Sequence, residues 1–147
     1  MIRFVVPGDP VGKQRPQFAR GIAYTPKKTK QYEEYVRLIW NENDFESFGN
    51  KPVIMIVDAY FNIPKSTTKR DRLLMIAGLI LHTKKADADN CAKTIMDAIN
   101  GLAYKDDAQV TYLVSRKHYS EKPRVIVQLE ELEFDYEKES EFSDESM

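Results

Sequence analysis

The apolar positions of the chain fall into two kinds of spacing. Met1–Val6 is a short apolar run closed by Pro7 and Gly8, which predicts a strand. Pro52–Ile63, "PVIMIVDAYFNI", is rich in β-branched and aromatic residues and predicts a central strand. Val110–Tyr119 and Arg124–Glu131 alternate apolar with polar residues, which predicts an antiparallel hairpin turning across "SEKP". Elsewhere the spacing is helical. Tyr32, Tyr35, Val36 and Ile39 share one face of a helix predicted over Pro26–Asn43, with Thr25 as its cap and Pro26 at its first position. Ser66 is placed to cap a second helix that runs to Gly78 and carries Lys69, Arg70 and Arg72 on its outer side. A third helix covers about Asp89–Asn100 and is closed by Gly101. Between the first strand and the first helix, "GDPVGKQRPQFARGIAYTP" reads as a loop with a short hairpin around Phe18–Tyr24.

A chain of 147 residues suits one compact domain, expected over 1–131. Its 42% hydrophobic and 31% charged residues are ordinary for a soluble globular protein. No apolar run approaches the roughly 20 residues needed to cross a bilayer. The apolar N-terminal run is too short for a signal peptide. Cys91 is the single cysteine, so an internal disulfide framework is excluded. The expected location is the cytoplasm.

Charge changes this bland picture. The net charge is −1, yet Glu130–Met147 holds nine acidic residues and one basic. The remaining body therefore carries a net charge of +7. A basic body suits an anionic partner such as nucleic acid, although a solvated surface with a solubilising tail has the same charge. The acidic stretch 132–147 is expected to be disordered.

The candidate chemistry lies in "KKADADNCAKTIMDAINGLAYKDDAQV", Lys84 to Val110. On the third helix, Cys91, Ile95, Ile99 and Leu102 form an apolar stripe flanked by Ala92, Met96 and Ala98. Asn90, Lys93, Asp97 and Asn100 form a second stripe that is wholly polar. Water alone would satisfy such a stripe, but two more carboxylates precede it. Asp87 and Asp89 are two residues apart, so in an extended segment they point to one side, about 7 Å apart at the backbone. A single helix cap does not need both.

The helix carries the chain about 16–18 Å away, and an extended Leu102–Asp107 covers a similar distance back. Asp106 and Asp107 can therefore return toward Asp87 and Asp89. Converging carboxylates repel unless a hard divalent cation joins them. Lys93, one turn from Asp89, is within reach of a phosphate.

An EF-hand is excluded, because Cys91 and Ala92 stand where that loop needs an oxygen ligand and a glycine. A glycosidase carboxylate pair leaves Lys93 and the basic body without a role.

The segment "DADNCAKTIMDAINGLAYKDDAQV" resembles the RusA family of Holliday junction resolvases. That family's pattern is D-x-D-N, a lysine three residues later, then D-A-L or similar, N-G, a hydrophobic pair and D-D-x-Q. Ile99 stands where leucine is usual, and Cys91 where a larger apolar residue is usual. The opening "PGDPVGKQRPQFARG" also resembles the family's K-x-R-P-R loop, with Gln17 where a second arginine often falls. The resemblance spans most of residues 3–130.

The resemblance implies an α/β (α+β) fold, a mixed sheet with about three helices packed on it, acting as a homodimer. It implies Asp87, Asp89 and Asp107 as metal ligands for Mg²⁺, with Mn²⁺ as substitute, and Lys93 as the catalytic lysine. Asn90, Asp97 and Asp106 are implied as supporting residues. The implied activity is paired nicking of a four-way DNA junction in recombination and repair.

Lys13, Arg15 and Arg20 are expected to follow the DNA backbone, and Lys27, Lys28 and Lys30 to do so from the first helical turn. A solvated helix face explains those three equally well. Asp58 is read either as an assistant to the site or as a strand residue with a local partner. Tyr104 is read as packing, while Phe18 and Tyr24 are open to either packing or stacking on an opened junction. His82 is a weak candidate for a general base and His118 is read as structural. Rival readings are a flap or fork nuclease, a non-catalytic branched-DNA-binding module, and an interaction protein working through the acidic tail.

Overall fold

A computed structural model describes residues 1–14, 17–24 and 26–132. Its elements are β1 (Ile2–Pro7), β2 (Gln17–Ala19), β3 (Ile22–Tyr24), α1 (Lys27–Asn41), β4 (Val53–Asn62), α2 (Lys69–Ile76), α3 (Ala88–Ala98), a 3-10 turn (Asp107–Gln109), β5 (Val110–Ser120) and β6 (Arg124–Glu131). Four strands form one sheet in the order β1-β6-β4-β5, and β2 and β3 form a separate pair. The sheet is mixed: β4 runs parallel to β5 and antiparallel to β6. The fold is therefore α+β with three helices.

The expected β5–β6 hairpin does not form, because β4 is inserted between the two strands. Alternation along a strand reports which face is buried, not which strand lies next to it. Val53, Met55, Val57 and Ala59 of β4 are fully buried. A strand this apolar is best satisfied with a partner on each edge, and it takes the inner position.

One face of the sheet carries the core. Phe4 and Val6 of β1, the four buried β4 residues, and Val125, Val127 and Leu129 of β6 meet Tyr32, Val36 and Trp40 of α1 and Cys91, Ala92, Ile95 and Ala98 of α3. The apolar stripe read from α3 is thus buried as expected. Tyr35 of the α1 stripe is exposed instead, and Thr29 and Glu33 are buried. Phe4, Trp40 and Phe45 cluster at one end, with ring centroids 5.8 Å apart for Phe4–Trp40 and 5.0 Å for Trp40–Phe45.

Helix ends differ from expectation in detail. Thr25 lies outside the described residues, and Pro26 occupies the cap position of α1 without a side-chain bond. Thr68, not Ser66, caps α2 by accepting from Asp71 N at 3.2 Å. α2 lies against β5 and buries none of its side chains. α3 ends at Ala98, and its last carbonyls are taken by α1 and the following turn: Arg37 Nε donates to Ala98 O at 2.8 Å and Tyr104 Oη to Met96 O at 2.9 Å. Tyr104 is therefore a core residue, as read. Gly101, at φ 82°, begins the turn that leads the chain back. The acidic tail falls on 133–147, outside the described residues.

Candidate active site

α3 begins on strained backbone. Ala86 has φ 108°, a conformation that non-glycine residues rarely adopt, and Asp87 follows it at the cap position. The Asp87 carboxylate makes no capping bond to the helix; among the described residues it accepts from Asn90 Nδ2 at 3.5 Å. Asp89 lies in the first turn and is exposed, so neither carboxylate is consumed by capping. Both stand where a helix N-terminus favours negative charge.

β5 supports this corner from below. Ser115 Oγ donates to Ala88 O at 2.6 Å, and Lys117 Nζ to Lys84 O at 3.1 Å. Neither residue stands out in the sequence, because each reads as an ordinary polar position on an alternating strand.

The polar stripe of α3 is not simply a solvated face. The loop after β1 lies along it: Lys13 N donates to Asn90 O at 2.9 Å, and a side chain at Gly12 would meet Asn90 Cβ at 3.5 Å. Lys13 Nζ is 2.6 Å from Glu33 of α1 and 3.0 Å from Asp97 of α3. Lys13, expected on the DNA backbone, thus serves as an internal tie between two helices. Burial alone would lower its pKa; the bonds to Glu33 and Asp97 outweigh that and raise it, so the ammonium is held charged. Glu33 was missed because it reads as one more charge on an exposed helix.

Asp97 also bonds Lys93, whose Nζ lies 3.4 Å from Asp97 Oδ1 and 3.5 Å from Asp107 Oδ2. Asp97 raises the Lys93 pKa, and together with Asp107 it outweighs the opposing effect of burial. The Lys93–Asp107 contact brings the chain back beside the second turn of α3, short of the convergence with Asp87 and Asp89 expected from the sequence. Asp106 precedes Asp107 at the cap position of the 3-10 turn.

Gln109 fixes this turn. Its Oε1 accepts from Lys105 N at 2.9 Å and Asp106 N at 3.0 Å, and its Nε2 donates to Gly49 O at 2.7 Å and Lys51 O at 3.0 Å. The four bonds clamp the Asp107 turn to the loop before β4. Gln109 was visible only as part of the D-D-x-Q pattern, with no role attached.

Three carboxylates with no capping duty offer the hard oxygen donors that suit Mg²⁺ or Mn²⁺. Their side chains do not meet at one point: among the described residues no three His, Cys, Asp or Glu side chains form a closed cation site. Asp107 is turned toward Lys93 instead. The donor chemistry fits a divalent ion, and the Lys93 ammonium takes the countercharge role in this arrangement.

The remaining candidates disperse. Arg20 is exposed at the tip of the β2–β3 hairpin, and Lys27, Lys28 and Lys30 are exposed on the first turn of α1. Arg15 lies outside the described residues. His82 stacks on Phe61, with centroids 4.0 Å apart, and its buried Nδ1 has no hydrogen-bond partner among the described residues.

Asp58 alternates with the core residues of β4 and so faces the other side of the sheet. There it accepts from Arg116 Nε at 2.6 Å and Arg116 Nη2 at 2.8 Å, and meets His118 Nε2 at 2.7 Å. The local-partner reading of Asp58 therefore holds. Burial would raise its pKa, but Arg116 and then His118 outweigh it and lower it. A depressed carboxyl contributes stability above its unfolded pKa and loses it as pH falls through the folded one. Asp58→Asn is expected to be less stable than the parent at neutral pH, with the gap closing in acid below about pH 4. Urea midpoints measured across that range check this; a gap independent of pH contradicts the ionic role.

Comparison with known proteins adds independent information. The sequence profile described as "Endodeoxyribonuclease RusA" matches residues 7–130. The chain is also similar to "Uncharacterized protein YqaN" of Bacillus subtilis (strain 168), at 39% identity over 137 residues, which is 89% of this chain and 96% of that protein. Among the described residues no helix is long and apolar enough to cross a membrane.

Proposed function

We propose, from the premise that this chain belongs to the RusA endodeoxyribonuclease family, that it is a Mg²⁺-dependent resolvase that makes paired nicks in four-way DNA junctions. The observation that carries the reading is the corner of α3 where two carboxylates free of capping duty stand beside the Lys93–Asp107 pair.

In this reading Asp87, Asp89 and Asp107 hold the cation, with Mn²⁺ as a substitute. When bound, it supplies Lewis-acid stabilisation of phosphorane charge and lowers the pKa of water. Lys93 offers its ammonium to the scissile phosphate or the leaving oxygen, and Asp97 aims it. Lys13 acts one step back, holding Asp97 and the loop in place. Gln109 holds the turn that presents Asp107. Arg20, Lys27 and Lys28 attract the DNA backbone, and Arg15 is assigned the same role from its sequence position. The protein works in the cytoplasm, where its DNA lies.

Two opposed cuts suit a homodimer. Support for a second copy comes from β5, an edge strand with Tyr112, Leu113 and Val114 all exposed, and from Leu73 and Ile76 on neighbouring α2.

The test mixes the protein with a labelled four-way junction, a matched linear duplex and a flap, with and without Mg²⁺. Paired Mg²⁺-dependent nicks on the junction support the resolvase. Equal cutting of flap and junction makes it a general branch nuclease. Junction binding without cutting in either metal leaves a binding module.

The clamp at Gln109 makes a separate prediction. Gln109→Ala is expected to raise the half-saturating Mg²⁺ concentration about 10-fold or more, the usual effect of losing a group that orients a ligand. Gln109→Glu keeps the two acceptor bonds and lies between. A metal titration of cleavage reads this, and identical titrations for all three proteins would remove Gln109 from the site.

A further inference from the structure

Phe18 and Ile22 are among the most exposed apolar side chains of the protein, at 75% and 70%, and both lie on the β2–β3 hairpin. The register pairs Phe18 with Ala23 and Ala19 with Ile22. Phe18 therefore stands on one face of the ribbon, and Ile22 and Tyr24 on the other. All the described hairpin residues are exposed. A two-stranded ribbon with no core is marginal alone in water, so its shape suits use against a partner.

Two features make it a presented blade. Arg20 at φ 53° and Gly21 at φ 77° form the tight tip that matches strand twist. Tyr24 Oη donates to Gln17 Oε1 at 2.9 Å across the base. The chain leading into the blade is clamped to α3 by Lys13, and Thr29 Oγ1 donates to Gln14 Oε1 at 3.3 Å. Only two residues separate Gln14 from Gln17, so the blade is rooted within about 10 Å of that clamp.

Charge identifies the occupant. Between Asp9 and Glu33 there are six basic residues and no acidic one, and five remain once Lys13 is set aside for its pairs with Glu33 and Asp97. Two such blades from two copies would bring like charges together. A nucleic-acid strand instead offers phosphates to the cations and flat bases to the aromatic and aliphatic tips. We infer that the β2–β3 hairpin is a base-contacting element, in which Phe18 and Ile22 stack on bases unpaired at a DNA branch point while Arg20 holds the adjoining phosphate. This inference rests on the branched-DNA reading above.

The test uses the full chain carrying Asp89→Asn, which keeps the junction intact in Mg²⁺. Binding is followed with 2-aminopurine at the branch point of a four-way junction, and separately with a matched linear duplex. Adding Phe18→Ala is expected to cost about 10-fold in junction affinity, the loss of one stacked base, and to abolish the 2-aminopurine response. Duplex affinity should not change, and Phe18→Trp should restore both signals. These side chains are unpacked, so the variants keep the fold, which circular dichroism checks. Unchanged junction affinity and fluorescence in Phe18→Ala and Ile22→Ala overturn the inference. So does a Phe18→Ala protein that changes its oligomeric state by sedimentation, which would assign the blade to a second copy. If the Asp89→Asn parent itself has no preference for junction over duplex, the branched-DNA reading fails first and the hairpin assignment falls with it.

Discussion

Asp89→Asn is expected to lower Mg²⁺-dependent junction cleavage by about 10³-fold while leaving junction binding intact or tighter. Asparagine keeps the size of the side chain and removes the anionic donor. Asp89 is exposed in the first turn of α3 and caps nothing, so little of the fold depends on it. The stability change should stay within about 1 kcal/mol, the scale of one charge at a helix N-terminus. Under the proposed function, removing a negative charge from this corner also reduces repulsion of DNA. The decisive combination is lost cleavage with retained melting temperature and retained binding. Cleavage within a few-fold of the parent would sink the metal-ligand role of Asp89.

Lys13→Ala is expected to have the largest effect on stability outside the core, about 2–4 kcal/mol. Glu33 is 8% exposed and its carboxylate meets Lys13 at 2.6 Å. Truncating the lysine leaves that carboxylate desolvated with no cation, and loosens the loop from both helices. Because the Lys13 pKa is raised in the folded state, the contribution is present at neutral pH and is lost only as pH rises through the folded value. Lys13→Ala combined with Glu33→Gln should recover much of the loss, since the unpaired charge is gone. Thermal unfolding of the single and double variants measures this coupling. A single variant that melts with the parent but binds DNA with a shallower salt slope would return Lys13 to the DNA-contacting role first read from its sequence.

The surroundings of Lys13 show what was legible. A lysine in a basic loop looks like a phosphate contact, because sequence displays its charge and not its neighbours. Glu33 and Asp97 reach it from two helices that are distant in the chain. The buried face of α3 was readable, since Cys91, Ile95 and Ile99 recur at the helical period and periodicity encodes a face. The hairpin assigned to β5 and β6 failed for the complementary reason: alternation encodes faces but not neighbours, and β4 takes the place between them. Asp87, Asp89, Lys93 and Asp107 stood out as a constellation. What the sequence could not reveal was that Asp107 turns to Lys93, or that Gln109 holds its turn by four bonds. Those depend on the rotamers and on a loop near Gly49 that carries no motif.

The parallel pairing of β4 with β5 has a consequence for how the molecule comes to life. Parallel neighbours need a crossover, and here that crossover is the stretch holding α2, α3 and the Asp107 turn. Asp87, Asp89, Lys93 and Asp107 all belong to it. Their corner is backed by Ser115 and Lys117 of β5, so it is complete only once this long-range pairing has formed. Contacts between segments so distant in sequence are slow to form. Under the proposed chemistry, a chain that has made its helices but not closed its sheet holds the catalytic groups without their geometry. Cutting power, under that reading, requires the finished fold.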